Sequence, residues 1–341
     1  MRAGRLSAAF ADPPAGRWVM LGAGAEDDLG GFAPARTTIV QRDFADHQSL
    51  AARGFAMLAD AADLCADGGP HDGAVVFLPR AKAAARAAIH AANAALAPGR
   101  PLWIDGQKTD GVDAILREIR ALTPPEDVMS KAHGKLFRVD AGPWVPADWA
   151  AQGSQIAPGF GTRPGVFSAD GIDPGSALLA AHLPDRLPTR IVDLGAGWGW
   201  LAAQALTRAG VEVIHLVEAD HQALASARDN ITDPRARFHW ADARDFRLPD
   251  PVNGVIMNPP FHSGRTADPG LGRAFIATAA RLLTGAGRLW MVANRHLPYE
   301  AALTDHFAQV TEIGGDARYK IIEASGAGRG SPARQARSKR R

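Results

Sequence analysis

The chain repeats itself, and this repeat limits its possible folds more than any other feature of the sequence. Segment 17–24 reads RWVMLGAG and segment 190–197 reads RIVDLGAG, so the last four residues are identical. Further segments match in the same order: 45–51 with 219–225, 72–79 with 253–260, 99–104 with 287–291, and 134–139 with 317–322. Apolar strand-like runs alternate with helical stretches in both repeats, which is typical of a parallel, doubly wound sheet. The sequence therefore predicts two tandem copies of one α/β domain.

The second copy places a glycine-rich turn between a predicted strand, 191–194, and a predicted helix, Trp200–Leu206. Glycines allow positive φ and a close approach of the backbone to a ligand, and a helix start offers free N–H groups. A dinucleotide-binding G-x-G-x-x-G turn would need its third glycine at position 200, which is a tryptophan. The observed acidic-x-G-x-G-x-G pattern instead resembles motif I of Rossmann-like class I methyltransferases, which use S-adenosylmethionine (SAM). Its residues are Asp193, Gly195, Gly197 and Gly199.

Acidic residues also follow the next two predicted strands of the second copy. In motif I, the carboxylate of Asp193 suits the ammonium group of the methionine part of SAM. Glu218 closes the following strand, where Rossmann-like folds bind the ribose hydroxyls. Asp242 and the neighbouring Ala243 amide come after the third strand, and we expect them to bind the adenine amino group. These residues together predict a SAM site.

A further buried strand of the second copy opens onto Asn258, Pro259, Pro260 and Phe261. Because the prolines fix the backbone, the Asn258 side-chain oxygen and the Pro259 carbonyl can both accept from one NH2 group. An exocyclic amine is a poor nucleophile, since its lone pair is delocalised into the ring. Holding both N–H bonds out of the ring plane localises that lone pair, and Phe261 offers a face on which an extruded base can stack. The four residues are predicted to carry methyl transfer to an amino group by positioning and electrostatics.

The second half resembles the bacterial ribosomal RNA guanine-N2 methyltransferases, most closely the small-subunit (16S) enzymes. The matching motifs are Pro164–Ser168, Asp170–Gly171, Gly175–Ser176, Asn258–His262, Val292–Asn294 and Leu297–Tyr299. The resemblance implies transfer of a methyl group from SAM to the N2 amine of a guanine in 16S ribosomal RNA, within the 30S subunit or an assembly intermediate. It also implies that the guanine is flipped into a cleft between Phe167, Phe261 and the SAM methyl, and Phe167 is a candidate for binding SAM. His262 and Asn294 are further candidates for contacts with the substrate.

The first copy lacks the polar groups that this chemistry needs. It has Met20 for Asp193, Phe44 for Glu218 and Phe77 for Asn258. We expect it to fold without binding SAM, and the family that the chain resembles carries such a degenerate methyltransferase-like domain before its catalytic domain. The prediction is a degenerate domain over 1–150 for scaffolding or RNA docking, after a loose lead-in over 1–16. A catalytic domain over 155–325 and a disordered basic tail over 326–341 follow.

Composition limits the compartment and the partners. The net charge is +2, and segment 326–341 alone carries six basic and no acidic residues, so neither folded half is strongly basic. With one cysteine, no disulfide can form within the chain, which suits the reducing cytoplasm. The sequence contains no transmembrane run or signal peptide, and no cluster of side chains with metal-ligand spacing. We expect a cytoplasmic monomer that needs neither a membrane nor a metal.

Two alternatives stay open from the sequence alone. The same chemistry could act on a guanine of 23S ribosomal RNA, on adenine N6 or on a protein glutamine, since the Asn-Pro-Pro-aromatic signature serves each of these amino groups. Outside the enzymes, the alternative is an RNA-binding factor for ribosome assembly. The intact Asp193, Glu218 and Asn258 argue against this second alternative.

Overall fold

The structure is a computed structural model that describes residues 4–66, 70–260, 262–263, 266–267 and 269–328. The chain divides into two compact units. Unit 1 comprises Met1–Ser154 and Arg163–Ala169, and unit 2 comprises Gln155–Thr162 and Asp170–Arg341. Segment 163–169 therefore groups with the first unit, although it follows the first residues of the second unit along the chain.

The described part of unit 1 forms a seven-stranded sheet with α-helices in its connections. The strands are β1 (Trp18–Leu21), β2 (Thr37–Val40), β3 (Ala56–Leu58), β4 (Gly73–Phe77), β5 (Pro101–Gln107), β6 (Glu126–Lys131) and β7 (Gly134–Asp140). The helices are α1 (Arg5–Ala9), α2 (Phe44–Ala52), α3 (Lys82–Ala94) and α4 (Val112–Arg120). The strand order is β3-β2-β1-β4-β5-β7-β6, and β7 runs antiparallel to both of its neighbours.

The rest of the described chain forms a second seven-stranded sheet and two small hairpins. The strands are β8 (Ser154–Ala157), β9 (Phe160–Thr162), β10 (Arg190–Leu194), β11 (Val213–Glu218), β12 (Ala236–Trp240), β13 (Val252–Met257), β14 (His262–Ser263), β15 (Thr266–Ala267), β16 (Leu283–Asn294), β17 (Phe307–Gly315) and β18 (Tyr319–Ala327). The helices are α5 (Pro174–His182), α6 (Trp200–Leu206), α7 (His221–Asn230), α8 (Pro269–Leu282) and α9 (Glu300–His306). The large sheet has the order β12-β11-β10-β13-β16-β18-β17, and the hairpins are β8-β9 and β14-β15.

When the seven strands of each large sheet are numbered along the chain, both sheets have the order 3-2-1-4-5-7-6, with the seventh strand antiparallel to its neighbours. The predicted tandem α/β fold is therefore confirmed. Both faces of each sheet are covered by apolar clusters, which is why the central strands read as continuous apolar runs. Among the described residues, no helix has both the length and the apolar character needed to cross a bilayer.

The N-terminal segment differs from the loose lead-in that the sequence predicts. Residues Arg5–Ala9 form α1, and the side chain of Arg5 is fully buried. Its Nε lies 2.6 Å from Oδ1 of Asp105 and its Nη2 lies 3.0 Å from Oδ2, while Nη1 donates to the Lys131 carbonyl. This bidentate ion pair orders the segment, because a lone buried guanidinium or carboxylate would be costly.

The C-terminal strand extends into the region predicted as a tail. Gly326 and Ala327 continue β18, where Ala327 pairs with Phe307 and is buried in the core. Residues 329–341, which carry the basic side chains of the predicted tail, lie outside the described residues.

Candidate active site

The glycine-rich turn lies at the carboxyl end of β10, with all three of its alternate glycines at positive φ. The amides of Gly195 and Ala196 both donate to the Val217 carbonyl at the end of β11, at 2.9 and 3.1 Å. A Cβ added to Gly199 would lie 2.9 Å from Ile231 Cδ1, so this position packs tightly against the end of α7. A Cβ added to Gly197 would meet nothing within 4 Å. The turn therefore has one glycine packed against protein and one beside open space.

The turn is held in place by a contact that the sequence did not predict. Asn230, the last residue of α7, donates from Nδ2 to the Trp198 carbonyl and to the Gly161 carbonyl, both at 2.9 Å. The Gly161 amide donates back to Asn230 Oδ1 at 2.8 Å. The buried Trp198 ring also packs edge-on against Phe160, with 5.8 Å between ring centroids. The β8-β9 hairpin and α7 thus clamp the turn from outside.

Asp193 precedes the turn, inside β10, and only 1% of its surface is exposed. Neither carboxylate oxygen has a hydrogen-bond partner in the described part of the chain. Burial, with a further contribution from the charge of Glu218, raises the pKa of Asp193 to about 8, although the backbone amide of Ala202 in α6 acts in the opposite direction. An acidic group left without a partner in the protein interior is ready to pair with a cation.

Glu218 ends β11 on the other side of the turn. Its Oε2 accepts from the Gly197 amide at 2.7 Å and its Oε1 accepts from the Asp220 amide at 2.8 Å. Burial raises the pKa of Glu218 to about 7, although these two amides favour the ionised form. The structure therefore places both predicted acids beside the glycine turn, and both have raised pKa values. Such groups concentrate at functional sites.

Asp242 follows β12, the strand that pairs with β11, and so lies at the same edge of the sheet. The Arg244 side chain and backbone amide both donate to its carboxylate. Burial would raise the pKa of Asp242, but the hydrogen bonds from Arg244 outweigh it and hold the pKa below its ordinary value. The next residue, Ala243, is buried, and its amide has no acceptor among the described residues.

Asn258 follows β13 directly, next to the end of β10 in the sheet. Its Nδ2 donates to Asp173 Oδ2 at 2.8 Å and to Ser176 Oγ at 2.9 Å. Pro259 is buried, whereas Pro260 is exposed. The sequence identified Asn258 as a candidate but gave no sign of these two partners, which lie more than eighty residues earlier in the chain.

The remaining candidates are less well defined. Phe261 lies outside the described residues, and of His262 the structure describes only its backbone, in β14. Asn294 is half-buried at the carboxyl end of β16, the strand beside β13. The turn after Asn294 is held by Lys320, a buried residue that donates to the Leu297 carbonyl at 2.8 Å and pairs with Glu300. Phe167 lies in the segment that groups with unit 1, and it is 59% exposed. In the described ranges, no group of three or more acidic, His or Cys side chains could hold a metal ion.

Unit 1 contains the same turn with its polar groups satisfied internally. The Gly24 amide donates to Asp27 Oδ2 at 2.8 Å, and the Ala25 amide donates to Asp46 Oδ1 at 3.0 Å. Gln41 donates from Nε2 to the Ala23 carbonyl at 2.7 Å. The chain's own side chains therefore take up donors that such a turn offers to a ligand, and this copy is degenerate in structure as well as in sequence.

The strand register corrects one of the predicted correspondences. The Gly22 amide donates to the Val40 carbonyl, as the Gly195 amide does to Val217, so Gln41 stands where unit 2 has Glu218. The prediction that Phe44 takes this place is wrong, since Phe44 is the first residue of α2. The shared Ala-Asp-His-Gln segment misled the alignment because it lies further into the helix in the first copy. Met20 and Phe77 do occupy the positions of Asp193 and Asn258.

Two family models match the chain. The methyltransferase small domain matches residues 158–323, and the methyltransferase small domain N-terminal model matches residues 15–150. A solved structure of the T. thermophilus 16S rRNA N2 methyltransferase RsmC, in complex with AdoMet and guanosine, superposes with a TM-score of 0.76. That alignment covers 92% of this chain and 89% of the other at 24% identity, so the likeness is one of fold. Fold and site together define a class I methyltransferase with a degenerate first domain.

Curated relatives identify the family more closely. The ribosomal RNA small subunit methyltransferase C of Idiomarina loihiensis is 30% identical over 249 residues, which are 68% of this chain and 72% of that protein. The protein of the same name from Pseudomonas fluorescens is 32% identical over 246 residues, covering 69% and 73%. The chain belongs to the ribosomal RNA small subunit methyltransferase C family.

Proposed function

We propose that this chain transfers a methyl group from SAM to the exocyclic N2 amine of a guanine in 16S ribosomal RNA. The observation that carries the proposal is that the side-chain nitrogen of Asn258 donates hydrogen bonds to Asp173 and Ser176. The side-chain oxygen is thus left as a hydrogen-bond acceptor, which suits an amino group with its N–H donors. The relatives' name supports small-subunit ribosomal RNA, and the neighbour solved with AdoMet and guanosine supports guanine N2.

The residues around the glycine turn suit SAM. The open space beside Gly197 leaves room for a ligand that a side chain there would fill. The unpartnered carboxylate of Asp193 suits the ammonium of the methionine part. Glu218 suits the ribose hydroxyls, because a carboxylate oxygen that already accepts one hydrogen bond has a second lone pair. We assign the adenine amino group and ring to Asp242 and the Ala243 amide. When bound, SAM supplies a methyl group that its sulfonium makes electrophilic.

The chain's own groups would prepare the amine for attack. Asn258 Oδ1 and the Pro259 carbonyl accept hydrogen bonds from the two N–H groups of one amino group. This geometry turns the nitrogen lone pair out of conjugation with the ring. The lone pair forms the new N–C bond as the methyl group leaves the sulfonium. The resulting ammonium is acidic and gives its extra proton to water, so no dedicated base is needed. Positioning and electrostatics supply the rate enhancement.

The other candidates serve the base and the RNA. We assign base stacking to Phe261, and contacts with the base or its phosphate to His262 and Asn294. Residues 155–325 form the catalytic domain in this proposal, and residues 1–150 serve as a scaffold or RNA-docking domain. The substrate is ribosomal RNA within the 30S subunit or an assembly intermediate, methylated in the cytoplasm by a monomer.

The test is methylation of deproteinised ribosomal RNA, 30S subunits and 50S subunits, followed by nuclease digestion and mass spectrometry of the nucleosides. N2-methylguanosine confined to small-subunit material is expected. Methyladenosine would move the proposal to another amine, and N2-methylguanosine in 50S material would move it to 23S ribosomal RNA. A labelled protein without RNA product would point to a glutamine acceptor.

A further inference from the structure

The Asn258 side chain has both hydrogens of its NH2 group engaged by side chains of one segment. Asp173 Oδ2 lies 2.8 Å from Nδ2, and Ser176 Oγ lies 2.9 Å from the same atom. None of the described residues donates to Asn258 Oδ1. The amide is thus saturated at its nitrogen and free at its oxygen.

The chemistry of Asp173 fixes which end of the amide faces it. The Ser176 backbone amide donates to Asp173 Oδ2 at 2.7 Å, so this carboxylate oxygen already acts as an acceptor. A carboxylate that accepts from two groups needs a donor on each, and the Asn258 nitrogen is the only donor that the side chain has. Turning the amide over would bring Oδ1 against Asp173 Oδ2, acceptor against acceptor. The orientation is therefore imposed by Asp173.

Local structure makes Asp173 and Ser176 a rigid support. Asp173 is the N-cap of α5, with φ −63° and ψ 126°, and Pro174 occupies the first helical position. The capping bond to the Ser176 amide holds the Asp173 side chain in one rotamer. Two residues of one helix start thus meet the side chain that follows β13, across a separation of more than eighty residues in sequence.

We propose that Asp173 and Ser176 are positioning residues that lock the Asn258 amide with only its oxygen offered to the substrate, which makes the site selective for N–H donors. This inference rests on the proposed amine methylation and adds to it a reason for selectivity. Guanine carries its N2 amine and its O6 carbonyl on the same ring. An Asn258 oxygen held in place accepts a hydrogen bond from the amine and repels the carbonyl oxygen. An amide free to turn over could bind either group. The negative charge of Asp173 also polarises the amide and strengthens its oxygen as an acceptor.

The decisive variant is Asp173→Gly, because Gly is well tolerated as an N-cap and α5 is retained. The variant removes Oδ2, which accepts from both the Ser176 amide and Asn258 Nδ2, so the lock is lost. We expect kcat for methyl transfer to fall by about 10-fold or more, with KM for RNA and Kd for SAM unchanged. Asp173→Asn, whose amide oxygen can accept both hydrogen bonds, should keep most of the wild-type kcat. Ser176→Ala removes one of the two acceptors and should lower kcat by several-fold, while Ser176→Thr keeps the hydroxyl and should restore it. Asp170→Asn, an exposed change in the same segment, is the matched control.

A double-mutant cycle separates positioning from general damage to the fold. In an Asn258→Ala background, Asp173→Gly and Ser176→Ala should have no further effect on kcat, because the side chain that they position is gone. Equal losses in both backgrounds, or a wild-type kcat in Asp173→Gly, would overturn the inference. Rates are measured on whatever nucleoside the wild type produces. A different methylated amine would therefore overturn the proposed guanine and leave the lock to be judged by the same cycle, whereas methylation of an oxygen would overturn the lock.

A second readout needs no substrate. The chain has five asparagines, so labelling with 15N-asparagine gives five side-chain NH2 pairs by NMR, and the pair missing in Asn258→Ala identifies Asn258. We expect its hydrogens to exchange with water at least about 10-fold more slowly in the wild type than in Asp173→Gly or Ser176→Ala. Rapid exchange in the wild type, or equal exchange in all variants, would show that the amide is not locked.

Discussion

Replacing Asp193 with Asn should make the protein without SAM more stable at neutral pH while weakening its binding of SAM. The folded chain buries this carboxyl without a partner, and its pKa is raised to about 8, against about 3.9 in an unfolded chain. Between these two pH values the folded state holds one proton more than the unfolded state. The free energy of unfolding therefore falls as pH rises, by about 1.4 kcal/mol for each pH unit.

Asn has almost the same shape as Asp and does not titrate, so the stability of Asp193→Asn should not show this fall with pH. From pH 5.5 to 7.5 the wild type should lose about 2–3 kcal/mol of stability relative to the variant. The assay is urea denaturation of both proteins at pH 5.5, 6.5 and 7.5 without SAM, taking the difference for the transition that unfolds unit 2. Asp170→Asn, at an exposed position, should show no such trend and serves as the control.

The same variant should bind SAM much more weakly in calorimetry, because the ammonium loses its carboxylate. A stability difference that does not change with pH would contradict the argument that Asp193 is buried without compensation. Wild-type affinity for SAM in Asp193→Asn would contradict the role assigned to it.

Two further predictions concern the glycine turn and unit 1. Gly199→Ala forces a Cβ against Ile231 at positive φ and should cost about 1–3 kcal/mol of stability, whereas Gly197→Ala, beside open space, should cost less and mainly weaken SAM binding. Thermal denaturation and calorimetry on both variants check this contrast, and equal effects would argue against a ligand beside Gly197. Arg5→Ala leaves Asp105 buried and unpaired, so it should destabilise unit 1 by about 3–5 kcal/mol in urea denaturation. An effect well below 1 kcal/mol would show that the pair is not buried in solution.

The architecture can be predicted from the sequence because the same pattern occurs twice, so each copy checks the strands assigned in the other. Apolar strands buried on both faces must recur in both copies, and the matching segments 17–24 and 190–197 fall on β1 and β10. Residues at strand ends, such as Asp193 and Glu218, can also be predicted to lie together, because parallel strands bring their carboxyl ends to one edge of the sheet.

Contacts between segments that are distant in the sequence cannot be predicted from strand patterns. Asp173 caps α5, but nothing in the sequence indicates that its carboxylate also holds Asn258. Arg5 falls in the segment predicted as a loose lead-in, and its ion pair with Asp105 of β5 is what makes it a buried residue. The Phe44 error has a related cause, because identical residues in two copies need not occupy the same structural position. Asp43 and Asp220 cap the two helices at equivalent positions in the strand register, and the shared segment lies three residues further along the helix in the first copy.

The most direct test of the central claim is single-turnover methylation of 30S subunits by the wild type and by Asn258→Ala, with the product identified by mass spectrometry and SAM binding measured alongside. The account predicts N2-methylguanosine from the wild type, and a rate lowered by about 10²–10³-fold in the variant at unchanged SAM affinity. An Asn258→Ala variant that forms N2-methylguanosine at the wild-type rate would contradict it.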